Sequence, residues 1–106
     1  MTIQAKHLKT DTGRDAREQV VIKTKQGVTA FQSFGKTIVV TSPNRPTLVN
    51  VEHWDSNQTT LKYLKRFLGK DDYSKQELKL YLDMTHFRYV SAEVIETIWD
   101  IESNIS

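Results

Sequence analysis

The sequence predicts an α+β domain in which a small antiparallel sheet of three to four strands packs against two to three helices. Three observations indicate this class. Runs of β-branched residues separated by turn residues fill the first half of the chain. Apolar residues recur at helical spacing, behind capping residues, in the second half. With 106 residues, 38% hydrophobic and 26% charged, the chain has the composition of one globular domain.

Four of the predicted strands precede residue 55. We expect residues 1–14 to form a flexible N-terminus, because they are polar and end in an Asp-Thr-Gly turn cluster, and residues 15–106 to form the domain. Strands are then predicted over 18–25, 28–34, 37–41 and 47–54, separated by turns that contain Gly or Pro. In the second of these, Phe31 is out of phase with Val28 and Ala30.

Helical spacing begins after Trp54. Asp55 or Ser56 is expected to cap the first helix. Its buried stripe consists of leucines at i, i+3 and i+7, with one aromatic residue beside them: Leu61, Leu64, Leu68 and Phe67. Gly69 stands where a left-handed residue would end this helix.

A second helix, a closing strand and a third helix complete the predicted order. Ser74 and Glu77 have the spacing of a capping box, in which each side chain bonds the other residue's backbone N–H. Period-2 alternation over 85–90 predicts a short strand. Ser91 is expected to cap the last helix. The predicted order is β-β-β-β-α-α-β-α.

Composition argues against several function classes. Without cysteine, the chain has no disulfide, thiolate metal site or cysteine nucleophile. His7, His53 and His86 lie far apart with no acid at ligand spacing, and no glycine-rich phosphate loop or nucleophile elbow is present. We expect no catalytic residue, no metal and no cofactor, and therefore no enzyme. No apolar run reaches the length of a membrane helix and no apolar leader is seen, so we expect a cytoplasmic protein that does not contact the membrane.

Two pieces of the sequence resemble a known family. The first is Gln32-Ser33-Phe34-Gly35. The second comprises Trp54, Asp55, Ser56, Thr59, Thr60, Lys62, Phe67, Leu68 and Gly69. In that order they resemble small uncharacterised domains found mainly in bacteriophage and prophage proteins, and the resemblance covers about residues 30–90. The turn over 43–46 is longer than the family's hairpin, and the helix after residue 91 is an extension. The resemblance implies a phage origin, hence the cytoplasm of a host bacterium, and implies no activity.

The cations of the first predicted helix form the strongest candidate binding surface. Lys62, Lys65 and Arg66 share one helix face, opposite the leucine stripe. Further cations and two tyrosines lie among or after them, a mixture that suits phosphate contact and stacking: Lys70, Lys75, Lys79, Tyr63 and Tyr73. The simplest interpretation is the solvated face of an amphipathic helix; nucleic acid and an acidic protein surface are the alternatives.

The last helix is the second candidate surface. Residues 1–90 hold all 15 Lys and Arg and nine of the 13 acids, so every charged residue in 91–106 is an acid. Tryptophans are most often core residues, and Trp54 and Trp99 are expected there. However, Ile95, Trp99 and Glu102 could form a stripe separate from the other apolar residues of this helix. An exposed stripe of that kind would be a partner face or a homodimer seam.

The function expected from these features is binding. The first hypothesis is a small non-enzymatic phage-type protein that binds a host protein or protein–nucleic-acid complex, and so inhibits a nucleic-acid-handling or defence complex in the manner of an anti-CRISPR protein. The alternative is direct nucleic-acid binding through the basic helix face.

Overall fold

The computed structural model describes residues 3–105, with the side chains of residues 4–104. Six strands and three helices follow one another in the order β1 (Ile3–Lys9), β2 (Asp15–Thr24), β3 (Thr29–Ser33), β4 (Lys36–Ser42), β5 (Arg45–Asn50), α1 (Gln58–Leu68), α2 (Lys75–Met84), β6 (Phe87–Val90) and α3 (Ala92–Ile105). The chain is α+β, as predicted, with a larger sheet than the three to four strands expected.

All six strands belong to one sheet, and their spatial order is their chain order. The first five form an antiparallel meander joined by short turns. α1 and α2 then carry the chain back, so that β6 lies parallel to β5 at the far edge. The sheet is therefore mostly antiparallel with one parallel pair.

The N-terminal segment belongs to the sheet. The sequence predicts that the folded domain begins at Asp15, but β1 pairs with β2 from Ile3↔Thr24 to His7↔Val20 and forms one edge of the sheet. Its side chains from Gln4 to His7 are exposed. A polar edge strand shows no hydrophobic alternation, which is why the sequence pattern missed it.

Helices cover both faces of the sheet and create two cores. On one face, Phe31 and Val49 pack with Leu64 of α1 and with two leucines of α2, Leu78 and Leu82. On the other face, Ala30 packs with residues of α3. Neighbouring strand residues are thus buried on opposite sides, which explains why Phe31 is out of phase with Ala30 in the sequence.

A β-bulge in β4 supports this arrangement. Phe31 pairs with Val39 and Gln32 pairs with Thr37, which leaves Ile38 as the extra residue. As a result Ile38 and Val39, although adjacent, both belong to the core beneath α1 and α2. Thr37 faces α3 instead.

The helix ends largely follow the predicted capping chemistry. The Ser74–Glu77 capping box of α2 is present in both directions, and Ser91 Oγ accepts from the N–H of Val94 at the start of α3. Gly69 ends α1 in the left-handed region, at φ 73°. The cap of α1 is Asn57, whose side chain accepts from the N–H of Thr60, and not Asp55 or Ser56.

Candidate functional site

An aspartate from the N-terminal hairpin meets the predicted row of cations on α1. Asp11, in the turn between β1 and β2, receives a hydrogen bond from Lys62 Nζ at 2.9 Å on Oδ2. Its Oδ1 accepts from Arg66 Nη2 at 2.7 Å. Lys62, and then Arg66, hold the pKa of the Asp11 carboxyl below its usual value. One carboxylate therefore bridges two of the three cations of the predicted row, Lys62 and Arg66.

Arg66 is the most engaged of these cations. Besides Asp11, its Nη1 donates to the carbonyl oxygen of Lys9 at 2.6 Å, and its Nε lies 3.3 Å from Asp71 Oδ1. The guanidinium carbon is 5.2 Å from the centroid of the Tyr63 ring. Hydrogen bonding to Asp11 raises the pKa of Arg66. Arg66 thus fastens the β1–β2 turn and the turn after α1 to the helix.

Lys65 and Lys70 have neutral partners. Lys65 Nζ donates to the carbonyl oxygen of Tyr73 at 2.9 Å. Lys70 Nζ lies 5.4 Å from the ring centroid of Tyr73 and 4.9 Å from that of Tyr81. Neither amino group forms an ion pair within residues 3–105. Their positive charge is therefore available to an incoming anion, whereas that of Lys62 is shared with Asp11.

An open cleft of about 810 Å³ lies beside this face, between the turn after β5, the first half of α1 and the start of α2. All of its lining residues except Leu61 are of polar or charged type, and they are Asp55, Ser56, Asn57, Gln58, Thr59, Leu61, Lys62, Lys65 and Lys75. Lys75 Nζ is 3.3 Å from Asp55 Oδ2 across the cleft wall. Two of the three cations of the predicted row, Lys62 and Lys65, thus line one concave surface.

The predicted site residues on and after α1 are brought together with different exposures. Lys62, Lys65, Arg66, Lys70 and Tyr73 are half-buried. Tyr63 is a core residue with 6% of its surface exposed. Its expected role in stacking on a ligand is incorrect, because its ring lies beneath Arg66 and within the core of the domain.

The predicted partner face on α3 is also incorrect. Ile95 is fully buried and Trp99 is 7% exposed, because both pack against the sheet in the second core. Glu102 forms an ion pair with Arg45. The residues expected to face outward therefore fix α3 to its own domain, and Trp99, like Trp54, is a core residue.

The apolar side chains that α3 does expose belong to the other stripe. Val94 is 44% exposed and Ile101 is 56% exposed. They lie two helical turns apart, with Thr97 between them on the same outer face.

The two pieces of the sequence pattern, residues 32–35 and 54–69, meet in space. Ser33 Oγ lies 2.8 Å from Thr60 Oγ1, in a buried hydrogen bond between β3 and α1. Beside it the rings of Phe31 and Phe67 stack with centroids 5.5 Å apart. Contacts within the fold therefore explain the presence of Ser33, Thr60 and Phe67 in the pattern. The same is true of the buried Trp54 and of Gly69, which ends α1. The pattern residues that folding leaves at the surface include four that line the cleft: Asp55, Ser56, Thr59 and Lys62.

Sequence reasoning missed Asp11, which is 51 residues before Lys62. The Asp11-Thr12-Gly13 cluster was a signal for a turn, and a turn is what it forms. Its contact with α1 follows from the β1–β2 hairpin, which the polar sequence of β1 did not predict. The ion pair between Asp55 and Lys75 was missed because those residues belong to different elements.

The chain matches no protein-family model, no curated protein and no solved structure. Within residues 3–105, no three His, Asp or Glu side chains approach closely enough to hold a metal ion. No helix in that part of the chain has the length and apolar character required to cross a membrane.

Proposed function

We propose that this protein acts by binding a macromolecule, without catalysis, through the cleft beside α1. The observation that supports this most directly is the combination of an open concavity of about 810 Å³ with one lining lysine, Lys65, that forms no ion pair among the described residues. Lys65 lines the cleft, and its amino group contacts only a carbonyl oxygen among the described residues. Such a surface offers charge and polar groups to a partner.

The partner we propose is a host protein or protein–nucleic-acid complex in the cytoplasm of a bacterium, occluded by a protein of phage type. The resemblance of residues 32–35 and 54–69 to phage domains supports that setting. Positive and negative side chains are interspersed around the cleft, which favours the surface of a folded protein as the partner. Asp11, Asp55 and Asp71 lie among the lysines and Arg66, and a mixed-sign surface of this kind selects a complementary pattern of charges.

Direct nucleic-acid binding is the second candidate. Lys65 and Lys70 favour it, because neither forms an ion pair in the described chain and Lys70 lies against two tyrosine rings. Two phosphate contacts alone give weak, strongly salt-dependent binding. The carboxylates beside Lys62 and Arg66 further reduce the attraction for a polyanion.

Site-specific photo-crosslinking tests the proposal. A photoreactive amino acid is placed at Thr59, an exposed residue of the cleft, and in a matched variant at Thr97, an exposed threonine on the outer face of α3. We expect a discrete adduct from a bacterial host lysate with the Thr59 variant and none with the Thr97 variant. Nuclease treatment before irradiation separates the two candidates, because it removes only a nucleic-acid adduct.

Lys65→Gln provides the charge control. It keeps a side chain that can donate to the carbonyl of Tyr73 and removes the positive charge, so we expect it to weaken the Thr59 adduct. Equal adducts at Thr59 and Thr97, or no adduct at Thr59, would contradict a binding role for the cleft.

A further inference from the structure

The bridge formed by Asp11 indicates what the basic face recognises. Its two carboxylate oxygens are divided between two cations one helical turn apart, Oδ2 with Lys62 and Oδ1 with Arg66. The carboxylate comes from a surface turn and is largely exposed, with 67% of the side chain accessible. We propose that Lys62 and Arg66 form a carboxylate-binding site, that Asp11 fills this site in the free protein, and that an Asp or Glu side chain of the partner protein replaces it. This inference rests on the proposed binding function.

Arg66 is held in position by contacts other than the one with Asp11. Arg66 remains held by the carbonyl of Lys9, by Asp71 and by the ring of Tyr63. Its guanidinium therefore keeps its place when the bridging carboxylate leaves. A site whose donors are already oriented binds an anion with little loss of side-chain freedom.

The Asp11 side chain can withdraw while its turn keeps its shape. Its own hydrogen bonds run from the Thr10 N–H to the Arg14 carbonyl and from the Gly13 N–H to the Thr10 carbonyl. These bonds do not involve α1, so the turn keeps its shape when Asp11 withdraws. Exposed ion pairs contribute little to stability, which makes exchange with an outside carboxylate thermodynamically easy.

The surroundings favour a protein carboxylate over a run of phosphates. Asp71 lies 3.3 Å from Arg66 Nε, and Asp72 follows it with an exposed side chain. A nucleic-acid backbone along α1 would bring several phosphates close to these acids. A single carboxylate meets only the two cations, in the geometry that Asp11 displays.

Charge-neutral variants of the aspartates test the inference on the purified protein. Asp11→Asn vacates the site and preserves side-chain shape. Asp72→Asn is the matched control, because it removes the same charge from an exposed side chain that forms no ion pair within residues 3–105. Binding is measured by fluorescence anisotropy at low salt with two labelled probes of equal charge: a peptide of alternating Glu and Ser, and an oligothymidylate.

We expect Asp11→Asn to bind the acidic peptide about two- to fivefold more tightly than the wild type, because it removes one exposed carboxylate that competes for the site. Asp72→Asn should gain clearly less, because it changes only net charge. Adding Lys62→Gln to Asp11→Asn should abolish the gain. Equal gains for the two aspartate variants would show a general charge effect and overturn the site. A larger gain for the oligothymidylate would overturn the choice of a protein carboxylate.

A second measurement uses the unaltered protein. When the acidic peptide is titrated into the wild type, the amide resonances of residues 10–14 and the Nε–H resonance of Arg66 should shift together. An Arg66 shift without any change in the turn would mean that Asp11 is not displaced, and it would refute the exchange. Because these experiments need no host partner, their failure leaves the crosslinking result at Thr59 unaffected.

Discussion

The hydrogen bond between Ser33 and Thr60 makes the central prediction about how the candidate site is supported. The two hydroxyl oxygens are 2.8 Å apart, and each residue is only 2% exposed. This bond joins β3 to the first turn of α1, the helix that carries Lys62 and Lys65. Thr60→Val replaces the hydroxyl by a methyl group of similar size and leaves the Ser33 hydroxyl buried without its partner. The cost of such an orphaned group is about 1–3 kcal/mol of unfolding free energy.

Ser33→Ala should cost a similar amount, because it leaves the Thr60 hydroxyl unpaired. The double variant removes both polar groups, so its loss should be no greater than that of either single variant. The expected coupling energy is therefore about 1–3 kcal/mol.

Urea unfolding followed by far-ultraviolet circular dichroism supplies the three free energies. For a chain of this size, a loss of about 1 kcal/mol also lowers the melting temperature by about 4–8 °C. Additive losses in the double variant would refute the reasoning, because they would mean that the two hydroxyls do not depend on each other.

Three further predictions concern stability. Gly69→Ala should destabilise the protein by about 1–2 kcal/mol, because the left-handed φ of 73° disfavours any residue with a Cβ, and Gly69→Asn should cost less; urea unfolding measures both. Glu96→Ala should cost about 1–3 kcal/mol, since the carboxylate accepts from both the N–H and the hydroxyl of the fully buried Thr37. The exposed Glu93→Ala on the same helix should stay within about 0.5 kcal/mol, and equal losses would contradict the role of Glu96. Hydrogen bonds from lysines hold the pKa of three exposed carboxylates below the ordinary value of 3.8, namely those of Asp11, Asp15 and Asp83. The unfolded chain then binds more protons in acid, so stability should fall as the pH drops below about 4, and Asp11→Asn should flatten that fall in urea midpoints measured against pH.

The local features of the fold were predictable from the sequence because their causes are local. The Ser74–Glu77 capping box and the left-handed Gly69 each depend on a few consecutive residues, and the structure has both. The leucine stripe of α1 was equally clear, since helical periodicity alone defines the buried side.

The extent of the sheet was not predictable by the same reasoning. Alternation of apolar and polar residues identifies a strand only when one face of the sheet is solvent-exposed and the other is buried. Here helices cover both faces, so that Phe31 and Ala30 are each fully buried on opposite sides. β1 fails the test for the opposite reason, because its described side chains from Gln4 to His7 are exposed.

The candidate site shows most clearly why periodicity is insufficient for function. Spacing placed Lys62, Lys65 and Arg66 on one helix face, and the structure agrees. Spacing carried no information about the neighbours of that face, since Asp11 reaches it from a different hairpin. With Asp11 in place the surface changes from a row of positive charges to a pattern of both signs. A row attracts any polyanion, whereas a pattern attracts only a partner with the complementary arrangement. Asp11 therefore lowers the general affinity for anions and raises selectivity, because a competing ligand has to supply a carboxylate in the position that Asp11 occupies.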